Sequence, residues 1–103
     1  MALTGIHVTC AQIGDVNGAS LISVAFWSRT MTNPGVTDIA APQGRTGMNF
    51  EVRAAVDAWV ARGENPDPTQ VSGIGDSARI LIPANETRNI LCIPGDKIAW
   101  ATA

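Results

Sequence analysis

Apolar residues in this chain come in short runs that alternate with polar ones at a period of two, and Gly, Pro and Asn cut the runs at close intervals. Over residues 5–13, Ile6, Val8 and Cys10 fall on one side and His7 and Thr9 on the other, which predicts a half-buried strand. Gly14-Asp15-Val16-Asn17-Gly18 then reads as a turn. Residues 20–29, with Leu21, Ile22, Val24, Phe26 and Trp27, fit a strand or a buried helix. Their β-branched and aromatic content ahead of an Asn33-Pro34-Gly35 turn favours the strand. Residues 36–40 are a short third strand at best, and residues 42–47 a loop. Beyond a loop over residues 66–76, strands are predicted at 78–82, 87–93 and 97–102. Pro83-Ala84-Asn85-Glu86 and Pro94-Gly95-Asp96 are the turns between them, and Pro-Gly suits a type II turn.

Residues 50–61 satisfy two periods at once. Val52, Ala55, Val56, Trp59 and Val60 make a helical stripe, with Gly63 placed to cap it. Phe50, Val52, Ala54, Val56, Ala58 and Val60 also alternate without a break against Glu51, Arg53, Asp57 and Trp59. The β character of the surrounding segments decides for strand, with a bend near Ala54-Ala55 that splits the run in two. The expected fold is all-β: an antiparallel β-sandwich or jelly-roll-like small barrel of about seven or eight short strands. Its 103 residues predict a single domain, with residues 49–103 as the sandwich core.

Composition adds a hint about surroundings. The chain is 46% hydrophobic but only 16% charged, against about 25% in ordinary soluble domains, so part of its outer surface is expected to be covered in an oligomer or assembly. The net charge is −2, and the seven basic residues (Arg29, Arg45, Arg53, Arg62, Arg79, Arg88 and Lys97) are scattered singly, which gives no footprint for nucleic acid. No basic start followed by an apolar run marks a signal peptide, and no run is long enough to span a membrane. Synthesis in a cytoplasm is therefore expected, and the Asn85-Glu86-Thr87 sequon is read as accidental. Cys10 and Cys92 each sit in an apolar run and are expected to be buried free thiols. A bridge between them would need the first strand to lie beside the penultimate one.

Residues that could carry chemistry do not form a recognisable set. Gly73-Ile74-Gly75-Asp76-Ser77-Ala78 has the look of a dinucleotide fingerprint, but a strand follows it where a helix is required. The lone His7 and two separated cysteines have no metal-ligand spacing, and no Gly-x-Ser-x-Gly elbow is present. Asp57, Asp67, Asp76 and Asp96 all lie near turns and read as solvated turn aspartates. The expectation is a protein that is not an enzyme and uses neither cofactor nor metal. Trp27, Trp59 and Trp100 are either core anchors or contact residues; Trp59 falls on the charged side of its alternation and is the first choice for an interface.

The second half of the chain, residues 50–100, resembles small virion proteins of tailed bacteriophages. The resemblance is carried by Val52-Arg53, Asp57-Ala58-Trp59-Val60-Ala61, Gly63 and Asn65-Pro66, and then by Ile82-Pro83-Ala84-Asn85 and Pro94-Gly95-Asp96-Lys97-Ile98-Ala99. It implies a structural protein of the particle, of the head decoration (cement) type. Such a protein sits on the capsid exterior, commonly as a homotrimer, and bridges subunits of the major capsid protein. Residues 1–48 lie outside the resemblance and are where it would place a partner-binding arm. Trp59 and Arg45, in the Gly44-Arg45-Thr46-Gly47 loop, are the expected contact residues, with Trp27 and Trp100 as further candidates. The alternatives are a receptor- or carbohydrate-binding knob of a phage fibre, and a tail or connector subunit.

Overall fold

The computed structural model describes residues 2–16 and 19–103, and for residues 14–16 and 19–24 the course of the backbone only. Eight strands follow in order: β1 (Ile6–Val16), β2 (Ala19–Met31), β3 (Gly35–Val36), β4 (Met48–Ala54), β5 (Ala58–Gly63), β6 (Arg79–Ile82), β7 (Thr87–Cys92) and β8 (Lys97–Thr102). They form two four-stranded sheets, ordered β2-β1-β4-β7 and β3-β8-β5-β6, and every pairing is antiparallel. The sheets pack face to face as a sandwich.

The doubly periodic run at residues 50–61 is extended, and its bend is a change of sheet. β4 lies in the first sheet and β5 in the second, and residues 55–57 make the corner. Phe50, Val52 and Ala54 face the core before the corner and Ala58 and Val60 after it, while Val56 is turned outward. The corner is tied down from several sides. The Ala55 N–H donates to the Gly5 carbonyl (2.9 Å), the Asp57 carboxylate accepts the Ala84 N–H (2.8 Å), and the Asp57 carbonyl accepts the Ala103 N–H (3.0 Å).

One expectation needs correction. Gly14, Asp15 and Val16 are not turn residues: they continue β1 and pair with Leu21, Ser20 and Ala19 of β2. Asn17 and Gly18 lie outside the described residues. The first two strands are accordingly long, at 11 and 13 residues. β1 pairs with β4 from Ile6 to Gln12, and the Ile13 N–H still reaches the Gly47 carbonyl (3.0 Å); beyond that the β1–β2 pairing continues as a two-stranded ribbon. Register shifts between Cys10 and Ala11 and between Gln12 and Ile13 mark bulges where it departs, the positions at which an antiparallel pair bends.

The core is the set of inward positions of both sheets: Ile6, Val8, Met48, Phe50 and Val52 from one, and Val60, Ile82, Ile98 and Trp100 from the other. The turns match their chemistry. Gly95 has φ +91°, and the Ile93 carbonyl accepts the Asp96 N–H at 3.1 Å, as the type II turn requires. Asn85 adopts φ +67° in the β6–β7 turn, a conformation its short polar side chain tolerates. The two thiols stay free and buried. Cys10 and Cys92 both lie beside β4, opposite Phe50 and Met48 respectively, so β4 separates their strands.

Candidate functional site

A two-layer sandwich leaves two lateral sides where the sheets do not meet, and here they differ. On the β2/β3 side, residues 37–41 run between the sheets and bond to both. The Trp27 indole N–H donates to the Ala40 carbonyl (3.1 Å) and Arg29 pairs with Asp38 (2.8 Å), which ties the segment to β2. The Thr37 N–H reaches the Ile98 carbonyl and the Ile98 N–H the Thr37 hydroxyl, while the Ala41 N–H reaches the Asp96 carbonyl, which ties it to β8 and its turn. That side is closed.

Among the described residues no such segment runs along the β6/β7 side, where residues 75–78, at the end of the β5–β6 connection, only border the opening. A cleft of about 300 Å³ opens between the two edge strands, lined by Val60, Arg62, Gly75, Asp76, Ala78, Ile80 and Ile90. Around it stand exposed apolar side chains: Ile80 and Leu81 on β6, Leu91 (67% exposed) on β7, and Ile93 (62% exposed) just past it. Arg62 and Asp76 bring polar groups to the cleft, and each also has a structural task. Arg62 donates to the Asp96 carboxylate at 2.8 Å, and Asp76 accepts the Asn65 N–H at 2.9 Å. Gly63, with φ +148°, lies so close to the Asp76 carboxylate that a Cβ would come within 2.3 Å of it, which is why glycine ends β5.

The outer faces also differ. On the first sheet much of the face is polar and bonded across strands, with Leu91 exposed at its edge: His7 Nδ1 lies 2.8 Å from the Thr30 hydroxyl, Arg53 donates to the Thr87 hydroxyl (3.3 Å), and the Asn49 amide donates to Asn89 Oδ1 (2.9 Å). On the second, Ala61 and Ala99 sit opposite one another on the outward face yet are only 2% and 1% exposed. The connection from β5 to β6, with buried Pro66 and Pro68, lies over this face. Arg79 fastens it, donating to the Pro68 carbonyl at 3.2 Å while its guanidinium stacks 3.8 Å above the Trp59 ring.

The residues expected at an interface are thus widely separated. Trp59 is half-buried under Arg79 on the outer face of the second sheet. Arg45 is exposed, its guanidinium 5.3 Å from the Phe26 ring. Trp27 packs at 5.9 Å against Phe50, and Trp100 is a core residue, 4% exposed. The turn aspartates organise backbone: Asp67 bonds Thr69 and Gln70, and these bonds, the Thr69 hydroxyl's first, hold its carboxyl below the usual carboxylate range. Asp96 departs from the solvated reading, being buried against Arg62 and also accepting the Ile93 N–H at 3.1 Å. Among the described residues no three of His, Cys, Asp and Glu gather as metal ligands.

The β6/β7 edge was not singled out in the sequence, although a signal for it exists. Ile80-Leu81-Ile82 and Ile90-Leu91-Cys92-Ile93 are apolar at both parities, whereas a strand facing one core needs only one. Together the two packed sheets make this protein an all-β sandwich with one closed and one open side. Set against known proteins, the chain matches no family model, no curated protein sequence and no solved structure.

Proposed function

We propose that this protein is a structural subunit of a virus particle, a head decoration protein that binds the outside of a phage capsid and steadies it by bridging capsid subunits. The supporting observation is the open β6/β7 side: bulky aliphatic side chains stand exposed along two free strand edges, a surface that suits burial against another protein. The class of particle rests on the resemblance of residues 50–100. In the fold those residues supply the β4–β5 corner, the β6–β7 turn and the type II turn before β8.

A decoration protein binds the assembled shell and not its loose subunits, so it stabilises the shell by mass action and in proportion to occupancy. Arg45 and Trp59 are the proposed contacts beyond the open side. The direct test is the number of copies per purified particle. Hundreds of copies meet the proposal; about a dozen or fewer would place the chain in a tail, connector or fibre and overturn it. Particles carrying Arg45→Ala or Trp59→Ala are expected to lose bound protein and heat resistance together, and full retention of both would remove those residues from the contact.

A further inference from the structure

We propose that the free edge of β7 receives the ribbon part of β2 from a second copy of this chain, so that the first sheet runs on from copy to copy. This inference does not depend on the virion reading.

The strand edges are guarded unequally. Unprotected edges pair with other chains, and short length, charge or a covering segment blunts them. β3 has two paired residues and β6 four, with Arg79 folded back over Trp59 and Pro83 ending the strand. The Trp27–Arg29 stretch of β2 is covered by residues 38–40. What remains is the six-residue edge of β7 and the part of β2 before Phe26, both belonging to the first sheet and standing at its opposite ends.

Each remaining edge lacks what the other provides. Residues 13–25 contain a single charged residue, Asp15, and apart from the Ile13 N–H, which donates to the Gly47 carbonyl at 3.0 Å, their strand pairing among the described residues is that of β1 with β2; a two-stranded ribbon alone is marginal in water. β7 offers a free edge beside the cleft lined by Ile80 and Ile90. A strand laid along β7 would send every second side chain over that cleft and the others alongside Leu91, the division of labour by which strand addition combines backbone pairing with side-chain pockets. Residues 19–25 (Ala-Ser-Leu-Ile-Ser-Val-Ala) supply apolar side chains at both parities.

Direction agrees as well. In an antiparallel sheet ordered β2-β1-β4-β7 the two edge strands run oppositely, so a copy set head to tail joins its β2 to β7 antiparallel and continues the alternation. Because the joined edges differ, the contact is heterologous, and each copy gives one edge and takes another. Such contacts close into a ring when the rotation between copies allows it.

The test is complementation between two blocked edges, read by native mass spectrometry and sedimentation at about 100 μM, where contacts of micromolar affinity are filled. One variant carries Leu91→Lys with Ile93→Lys; the other carries Ile22→Lys with Val24→Lys. A third, with residues 15–22 replaced by a two-residue Asn-Gly turn, removes the ribbon outright, and circular dichroism confirms that each is folded. The unaltered protein is expected to be a closed oligomer, and each blocked variant a monomer with association weakened by about a thousandfold or more, because the added charges would be buried without partners. A β7-blocked and a ribbon-blocked variant, mixed, should form a dimer that grows no further. A monomeric unaltered protein, an oligomer that survives either block, or a mixture that stays monomeric would each overturn the proposal. None of those outcomes changes the copy number per particle, so the two proposals fail separately.

Discussion

The two lateral sides of this sandwich solve the same problem in different ways. On the β2/β3 side, residues 37–41 bond the Trp27 and Arg29 side chains of the first sheet and backbone groups of β8 and its turn in the second, and Trp27 packs on Phe50. On the β6/β7 side, Ile80 and Ile90 face a cleft and Leu91 faces outward, with no segment of the described chain across them. The lesson is that burial of a core does not require closure of its rim. The closed side binds its rim with bonds within the molecule, and the open side leaves apolar side chains exposed.

Several measurements would break or sharpen that contrast. Trp27→Ala should have the largest effect, costing about 3–5 kcal/mol in denaturant unfolding, because it empties a packed site and leaves the Ala40 carbonyl without its donor. A loss below about 1 kcal/mol would mean the closed side is not where stability resides. Arg79→Ala should cost about 1–2 kcal/mol through the lost stack on Trp59 and the lost bond to Pro68, and should speed proteolysis within residues 64–78. Unchanged proteolysis would show that the roof over Ala61 and Ala99 is held otherwise.

Cys92 probes how dry the core is beside the open rim. Burial first, and the neighbouring Cys10 after it, push its thiol up to about 12. The unfolded chain, with an ordinary thiol, gives up that proton at lower pH than the folded one does. Stability is therefore full below about pH 9 and falls as pH rises from there toward 12, by no more than about 1.4 kcal/mol per pH unit from this group. Cys92→Ala should flatten that decline; an unaltered alkaline slope would mean that water reaches the thiol in the folded state. Smallest of all, Asp38→Ala should cost less than about 1 kcal/mol, since the Arg29–Asp38 pair is exposed on both partners. A larger loss would show the 37–41 segment to be held chiefly by charge.

The strands of this fold were legible because alternation is a local property: Ile6, Val8 and Cys10 face the core as their spacing says, and so do Phe50, Val52 and Ala54. What spacing cannot express is which sheet a strand joins. The run through Phe50 and Val60 keeps its parity across the corner while its partners change from β1 and β7 to β6 and β8. Gly14-Asp15-Val16 misleads for a related reason, because turn-forming residues are tolerated in a strand whose partner supplies the pairing. Parity alone ranks Trp59 first and Trp100 as a further contact candidate, and only tertiary structure puts Trp100 in the core and lays Arg79 over Trp59. The cleft needed two edge strands to be stacked, and that information lies only in the topology.

The order of pairing has a further consequence for how the protein is made. Two pairings join strands consecutive in sequence, β1 with β2 and β5 with β6, and the second closes the long loop of residues 64–78; the others, β1 with β4, β4 with β7, β5 with β8 and β3 with β8, skip over intervening strands. Chains built this way fold slowly, since the entropy of closing loops is lost before the contacts that offset it exist. β3 and one edge of β5 must wait for β8, the last strand in order, so during translation the second sheet stands incomplete while the β1–β2 hairpin is already free to form. The partly made chain exposes the inner faces of Val60 and Phe50 for that interval, which makes β8 the step at which nascent copies escape aggregation.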